Sequence, residues 1–223
     1  MTRLVLASAS TARTATLAAA GIDAPVRVSG VDEDAVLADA ADRFGTLNPA
    51  DAVLVLAQAK ALAVAEDLES DDAPDALGTD DIIVLGCDSM LEIDGEVVGK
   101  PGDAETARER WRRMRGRSAT LHTGHWLVDL RGTDAGGSGG TLGATSSTVV
   151  RFADLADDEI DAYVATGEPL VVAGAFTIDG LGGPFVSAVE GDPHGVVGLS
   201  LPLLRELLTE VGVRIHDLWR TRG

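Results

Sequence analysis

The chain has 223 residues, 45% of them hydrophobic and only 4% aromatic, which suits one α/β domain or two intimate lobes with a core built from small aliphatic side chains. Its net charge of -18 excludes nonspecific DNA or RNA binding as the main activity, because such binding rests on neutralising phosphates with Lys and Arg. A single cysteine, Cys87, excludes an intramolecular disulfide, and no apolar run reaches the roughly 20 residues of a membrane helix; a soluble cytoplasmic protein is expected.

In chain order, Arg3 to Ala7 reads as a strand, and Ser8-Ala9-Ser10-Thr11 leads into a helix over Ala12 to Ala20 that Gly21 stops. Hydroxyls and free N–H groups at that helix start suit an anion, and Arg13 adds positive charge; plain capping by Ser10 or Thr11 is the alternative. Ala24 to Ser29 reads as a second strand, followed by three carboxylates in Asp32-Glu33-Asp34, a cluster able to hold a hard divalent cation. Asn48-Pro49-Ala50-Asp51 starts a helix that runs to about Leu68 and places Lys60 on or beside its buried stripe. That lysine either snorkels to the surface or points into a cleft.

Glu66 to Asp81 is too acidic for core and reads as a flexible connector over about 67–81. Ile82 to Leu85 is a buried strand expected to deliver Cys87, Asp88 and Ser89 to its carboxyl end. Asp94-Gly95 is a two-residue hairpin signal that returns the chain to Lys100, locked between Gly99 and Pro101. Asp103 opens a helix that Gly116 ends, with Trp111 and Met114 as core contacts. Ser118 to Leu130 is a strand in which His122 and His125, three apart, point to opposite faces. Residues 131–147 read as a flexible Gly/Ser loop before a strand at Thr148 to Phe152. A short helix over Asp157 to Thr166, small residues around Asp179, a strand at Pro184 to Val189, a turn at 191–195 and a helix over Leu201 to Val211 complete the chain.

Lysine occurs only at 60 and 100, against 16 arginines. In a chain that otherwise uses Arg, two lysines mark places that need a compact point charge on a flexible stem. The hairpin that returns the chain would let the Asp88 carboxylate and the Lys100 ammonium face the same cleft.

Taken together and in order, these motifs resemble the Maf family of nucleotide pyrophosphatases over nearly the whole chain. Ser8-Ala9-Ser10-Thr11-Ala12-Arg13 resembles its N-terminal motif, Asp32-Glu33 its acidic pair, Ala59-Lys60-Ala61 its helical lysine and Cys87-Asp88-Ser89 its central motif. Gly99-Lys100-Pro101, Gly167-Glu168-Pro169, Ala173-Gly174-Ala175, Ile178-Asp179-Gly180 and Val196-Val197-Gly198-Leu199 continue the match. The resemblance implies a single α/β domain over 1–223, Maf and ITPase-like, with a mixed twisted sheet, flanking helices and two lobes around a central cleft.

It also implies hydrolysis between the α and β phosphates of a nucleoside triphosphate with Mg²⁺ or Mn²⁺, with nucleotide-pool sanitation as the role, and a homodimer. Asp88, Lys60, Lys100 and Glu33 would be catalytic, with Asp88 and Glu33 on the metal. Ser8, Arg13, Ala12, Ser89 and Asp179 would bind substrate. Thr11, Ala12, Ser89, Val172 and Asp179 depart from the usual residues, and because the resemblance ties the positions of Ala12, Ser89 and Asp179 to base choice, a base preference does not carry over from it. A rival reading is a nucleotide-binding regulator of cell division with little turnover.

Overall fold

The computed structural model describes residues 2–70 and 81–220. These form six strands, β1 (Arg3–Ala7), β2 (Ile82–Ile93), β3 (Glu96–Val98), β4 (Ser118–Asp129), β5 (Thr141–Phe152) and β6 (Val186–Glu190). The helices are α1 (Thr11–Ala19), α2 (Glu33–Phe44), α3 (Pro49–Glu69), α4 (Ala104–Met114), α5 (Asp157–Ala165), α6 (Pro193–Val197) and α7 (Leu201–Glu210). The strands make one sheet in the order β1-β2-β4-β5-β6, with β3 folded back on β2. β1 runs parallel to β2, whereas β3 is antiparallel to β2 and β6 to β5, so the sheet is mixed and the class is α/β. No single described helix is long and apolar enough to cross a membrane.

The chain divides into two compact units, and β2, β4 and β5 contribute residues to both. The first unit holds the residues up to Asp88, Thr123–Ser146 and those from Gly198 on. Side-chain alternation sends Leu4, Leu6, Ile83, Leu85 and Cys87 into a core with Leu17 of α1 and Leu204, Leu207 and Leu208 of α7. Val5, Ala7, Ile82 and Val84 face the other way, onto Ala61, Val64 and Ala65 of α3. Burial on both faces explains why Ile82 to Leu85 is apolar without alternation.

Two glycines set how closely α3 lies on the sheet. A Cβ on Gly86 would stand 2.1 Å from the Ala57 carbonyl oxygen and 2.8 Å from the Ala61 nitrogen. One on Gly124 would stand 2.3 Å from the Val53 carbonyl oxygen. The helix itself starts as expected, Asn48 accepting from the Asp51 N–H with Pro49 in its first turn.

The second unit, Ser89–His122 and Ser147–Val197, packs around Trp111. Its indole meets Phe152 and Tyr163 edge-on at 5.5 Å each and donates its N–H to the Ala175 carbonyl at 2.8 Å. Asp94 (φ 56°) and Gly95 (φ 79°) make the β2–β3 turn with the left-handed backbone that a type I′ turn needs.

Several expectations change. β2 does not stop at Leu85 but runs unbroken to Ile93, so Asp88 lies mid-strand, not at a carboxyl end. Residues 24–29 are not a strand: Val26 alone bridges to Leu6, because Pro25 has no N–H to extend the ladder. Asp32-Glu33-Asp34 is a helix start, with Asp32 capping α2 through the Ala35 N–H; only Ala40 of α2 is buried, so no apolar stripe announced it.

The connector expected over 67–81 is helical as far as Glu69, and 71–80 lie outside the described residues. The loop expected over 131–147 ends at Gly140, since β5 begins at Thr141. Gly143 in that strand serves packing, since a Cβ on it would stand 2.3 Å from Cε3 of Trp126. The expected turn at 191–195 includes the start of α6.

Candidate active site

The first unit brings five of the sequence-selected residues into one neighbourhood. Asp88 sits on the α3 face of β2, two residues beyond Gly86, and is buried. Close approach at Gly86 lets Lys60, one turn beyond Ala57, reach down to it. The Lys60 ammonium lies 2.6 Å from Asp88 Oδ1 and 2.6 Å from Glu33 Oε1. Lys60 is therefore neither snorkelling nor free; it joins a strand carboxylate to the first residue of α2. The Lys60 and Asp88 side chains are 12% and 11% exposed, but Glu33 is 53% exposed, so the cluster is open on the α2 side.

Ser8 and Arg13 form the second part. Ser10 caps α1 by accepting from the Arg13 N–H, and Arg13 turns its buried guanidinium back under the loop. There Nη1 donates to Ser8 Oγ at 2.9 Å and Nε donates to the Gly198 carbonyl at 2.7 Å. Ala12, beside it, is half-buried in the first turn of α1. Ser10 caps the helix, as the plainer reading of this motif expects, and Ser8 and Arg13 set a cationic group at its start.

The anchor at Gly198 depends on a residue whose sequence position carried no signal. His125, fully buried, faces its own strand's Thr123 carbonyl with Nδ1 at 3.1 Å and receives the Ser200 N–H at Nε2, 2.8 Å away. A carbonyl only accepts and an N–H only donates, so the ring is the neutral Nδ1–H tautomer. It fixes the segment that holds Arg13. A histidine on an apolar strand gives no hint of this, because Ser200 is 75 residues away.

Burial pushes the Asp88 carboxyl above its ordinary range, opposed by the charges of Lys60 and Arg13 and reinforced by Glu33. A carboxylate so poised is suited to taking a proton from a bound water. Its neighbour Cys87 points into the opposite core, where burial raises the thiol to about 12; it takes no part as a nucleophile.

Among the described residues no three His, Cys, Asp or Glu side chains gather as a ready metal cage. Asp88 and Glu33 nonetheless share one cationic contact through Lys60 Nζ, and their oxygens are the donors that Mg²⁺ or Mn²⁺ prefers. Such ions are usually held by one or two carboxylates completed by substrate phosphates, so this donor set fits.

Ser89, Lys100 and Asp179 belong to the second unit. Ser89 is partly exposed on β2, and Lys100 is exposed after a Gly99 whose carbonyl receives the Gly174 N–H at 3.2 Å and Arg110 Nη1. Asp179 is exposed in a segment wrapped round Glu168, a residue that the sequence placed in a family motif without assigning it a role. Tyr163 Oη (2.9 Å), Thr177 Oγ1 (2.6 Å) and the Gly182 N–H (3.1 Å) donate to Glu168 Oε1, and the Leu181 N–H (3.0 Å) donates to Oε2. Burial would raise the Glu168 carboxyl, but these donors outweigh it and hold it low.

A family model described as "Maf-like protein" matches residues 3–211. A protein of Salinispora tropica named nucleoside triphosphate pyrophosphatase is 56% identical over 221 residues, covering 99% of this chain and 88% of its own. Proteins with the same name from Rhodococcus erythropolis and Nocardia farcinica are 52% and 54% identical, over 100% and 97% of this chain and 99% and 96% of theirs.

Proposed function

Since the chain belongs to the Maf family, we propose that it is a nucleoside triphosphate pyrophosphatase, hydrolysing the α–β phosphoanhydride to a nucleoside monophosphate and pyrophosphate. The observation that carries the reading is the single Lys60 ammonium 2.6 Å from both Asp88 and Glu33, beside the cationic start of α1. A triphosphate needs positive charge and a water needs a base, and these residues supply both on an otherwise acidic protein.

In this reading Asp88 accepts a proton as water oxygen attacks the α-phosphorus, and the bond from that phosphorus to the bridging oxygen breaks to release pyrophosphate. Lys60 orients Asp88 and offsets the charge that grows on the leaving group. Arg13, steered by Ser8 and Gly198, binds phosphate oxygens at the helix start. Asp88 and Glu33 would hold a divalent metal, which when bound polarises the phosphoryl oxygens. Lys100 joins the phosphate ligands, and Ala12, Ser89 and Asp179 face the nucleoside; these four assignments rest on the family resemblance. Asp179 accepts hydrogen bonds only, which favours a base edge rich in donors.

The test is pyrophosphate release from a panel of canonical and modified nucleoside triphosphates with Mg²⁺ or Mn²⁺, wild type beside Asp88→Asn. The expected result is release by wild type and a loss of about 10²- to 10⁴-fold in the folded variant. Wild-type binding of triphosphates without release across the panel would refute the enzyme and favour a nucleotide-binding regulator; orthophosphate as product would refute the cleavage site.

A further inference from the structure

Within the second unit, three polar side chains cross the sheet in a row that the proposed reaction does not use. Glu92 lies on β2, His122 on β4 and Ser147 on β5, adjacent strands of the sheet. His122 Nε2 is 3.0 Å from Glu92 Oε2, and His122 Nδ1 is 2.8 Å from Ser147 Oγ. The histidine is 7% exposed, whereas Ser147 is open to solvent.

The proton positions follow from chemistry. An ionised carboxylate only accepts, so Nε2 carries a hydrogen and donates it to Glu92. In the neutral ring Nδ1 is then a lone pair, and the Ser147 hydroxyl donates to it. A hydroxyl that donates to an imidazole, oriented in turn by a carboxylate, is the arrangement that activates a serine nucleophile. Cross-strand packing alone would account for the contacts, since polar pairs on neighbouring strands stabilise a sheet. It would not require the outer member to be an exposed hydroxyl placed against the one ring nitrogen that can take its proton.

We propose that Ser147, with His122 as base and Glu92 as the group that orients it, is a second nucleophilic site, which takes activated acyl esters and their phosphonyl fluoride counterparts. In the first step Ser147 Oγ attacks the acyl carbon or phosphorus while its proton passes to His122 Nδ1. The new bond is Oγ–C or Oγ–P; the bond to the alkoxide or fluoride breaks, and that leaving group takes its proton from the imidazolium. For an acyl group, water then repeats the sequence and frees the serine. The site does not depend on the pyrophosphatase reading.

The experiment is labelling of the full chain with an alkyl fluorophosphonate, the modified residue being identified by peptide mass spectrometry. Ser147 is expected to carry the label. Ser147→Ala should abolish it, and His122→Gln should slow it at least tenfold with the fold retained. No label on Ser147, or labelling at the same rate in folded His122→Gln, overturns the proposal and leaves a row that only ties strands together. Should His122→Gln fail to fold, Ser147→Cys decides the matter through iodoacetamide. The native thiol of Cys87 is buried and silent, so alkylation reads the new residue alone. Adding Glu92→Gln should slow it at least threefold, and an unchanged rate overturns the proposal.

Discussion

Gly86→Ala tests whether the distance between α3 and β2 makes the site. The added methyl carbon would fall 2.1 Å from the Ala57 carbonyl oxygen, 2.8 Å from the Ala61 nitrogen and 2.9 Å from the Ala61 methyl group. Two of these three atoms are helix backbone, which has no rotamer to yield, so α3 must move off the strand. Overpacking of this kind costs about 3 kcal/mol. In a chain of this size that lowers Tm by roughly 6–12 °C.

The functional loss should exceed what stability explains. Lys60 is one turn from Ala57, and a displacement of about 1 Å at a catalytic group costs about 10²-fold. Pyrophosphate release should therefore fall about 10²-fold in kcat/KM at a temperature where circular dichroism shows the variant folded. Gly124→Ala is the control, since its methyl would meet the same helix at the Val53 carbonyl, seven residues before Lys60. It should cost similar stability and much less activity. Wild-type kcat/KM in folded Gly86→Ala, or equal losses in both variants, would refute the argument that this contact sets the site.

Replacing Lys60 with Met removes the larger of the two charges that oppose burial at Asp88 and leaves Glu33 beside it; the Asp88 carboxyl rises further, and the acidic limb of the kcat/KM–pH profile should move to higher pH with an overall loss of about 10²-fold. Asp129, buried and paired with Arg131 at 2.8 Å, has a carboxyl that burial would raise but that Arg131 and Ser138 hold down at about 2. Its folded value lies below its unfolded one, so its contribution of about 2 kcal/mol is complete above pH 4 and fades as pH falls toward 2. Urea unfolding of Asp129→Asn should show a deficit at pH 7 that narrows over that window, and a constant deficit would refute the assignment. Glu168→Gln replaces one of two accepting oxygens with a donor while every partner also donates; one N–H or O–H loses its acceptor, at about 1–3 kcal/mol, visible as a Tm lower by several degrees.

How much of this was legible in the sequence varied with the range of the interaction. Local signals spoke plainly: Asn48-Pro49 started α3 and Asp94-Gly95 turned the β2–β3 hairpin where expected. Lys60 and Asp88 stood out by residue type, yet their meeting needed Gly86, whose glycine is a requirement of packing against Ala57 and not of any turn. α2 escaped notice because a helix with one buried residue has no periodic stripe to read. Residues 141–147 looked like loop because Gly and Ser are the usual marks of one; here Gly143 makes room for Trp126, a partner on another strand. The Glu92–His122–Ser147 row and the His125–Ser200 contact are long-range pairings, and a single sequence does not record register.

The grip of the Gly198 carbonyl on Arg13 spans 185 positions of sequence. On a ribosome adding roughly 5–20 residues per second, Arg13 is made about 10–40 s before the group that steers it exists. The Lys60–Asp88 contact spans 28 positions, but the core under β2 includes Leu204, Leu207 and Leu208 of α7, so both halves of the site wait for the last helix. A truncated product of interrupted translation that ends before Gly198 lacks both the carbonyl that steers Arg13 and the helix that backs the strand of Asp88.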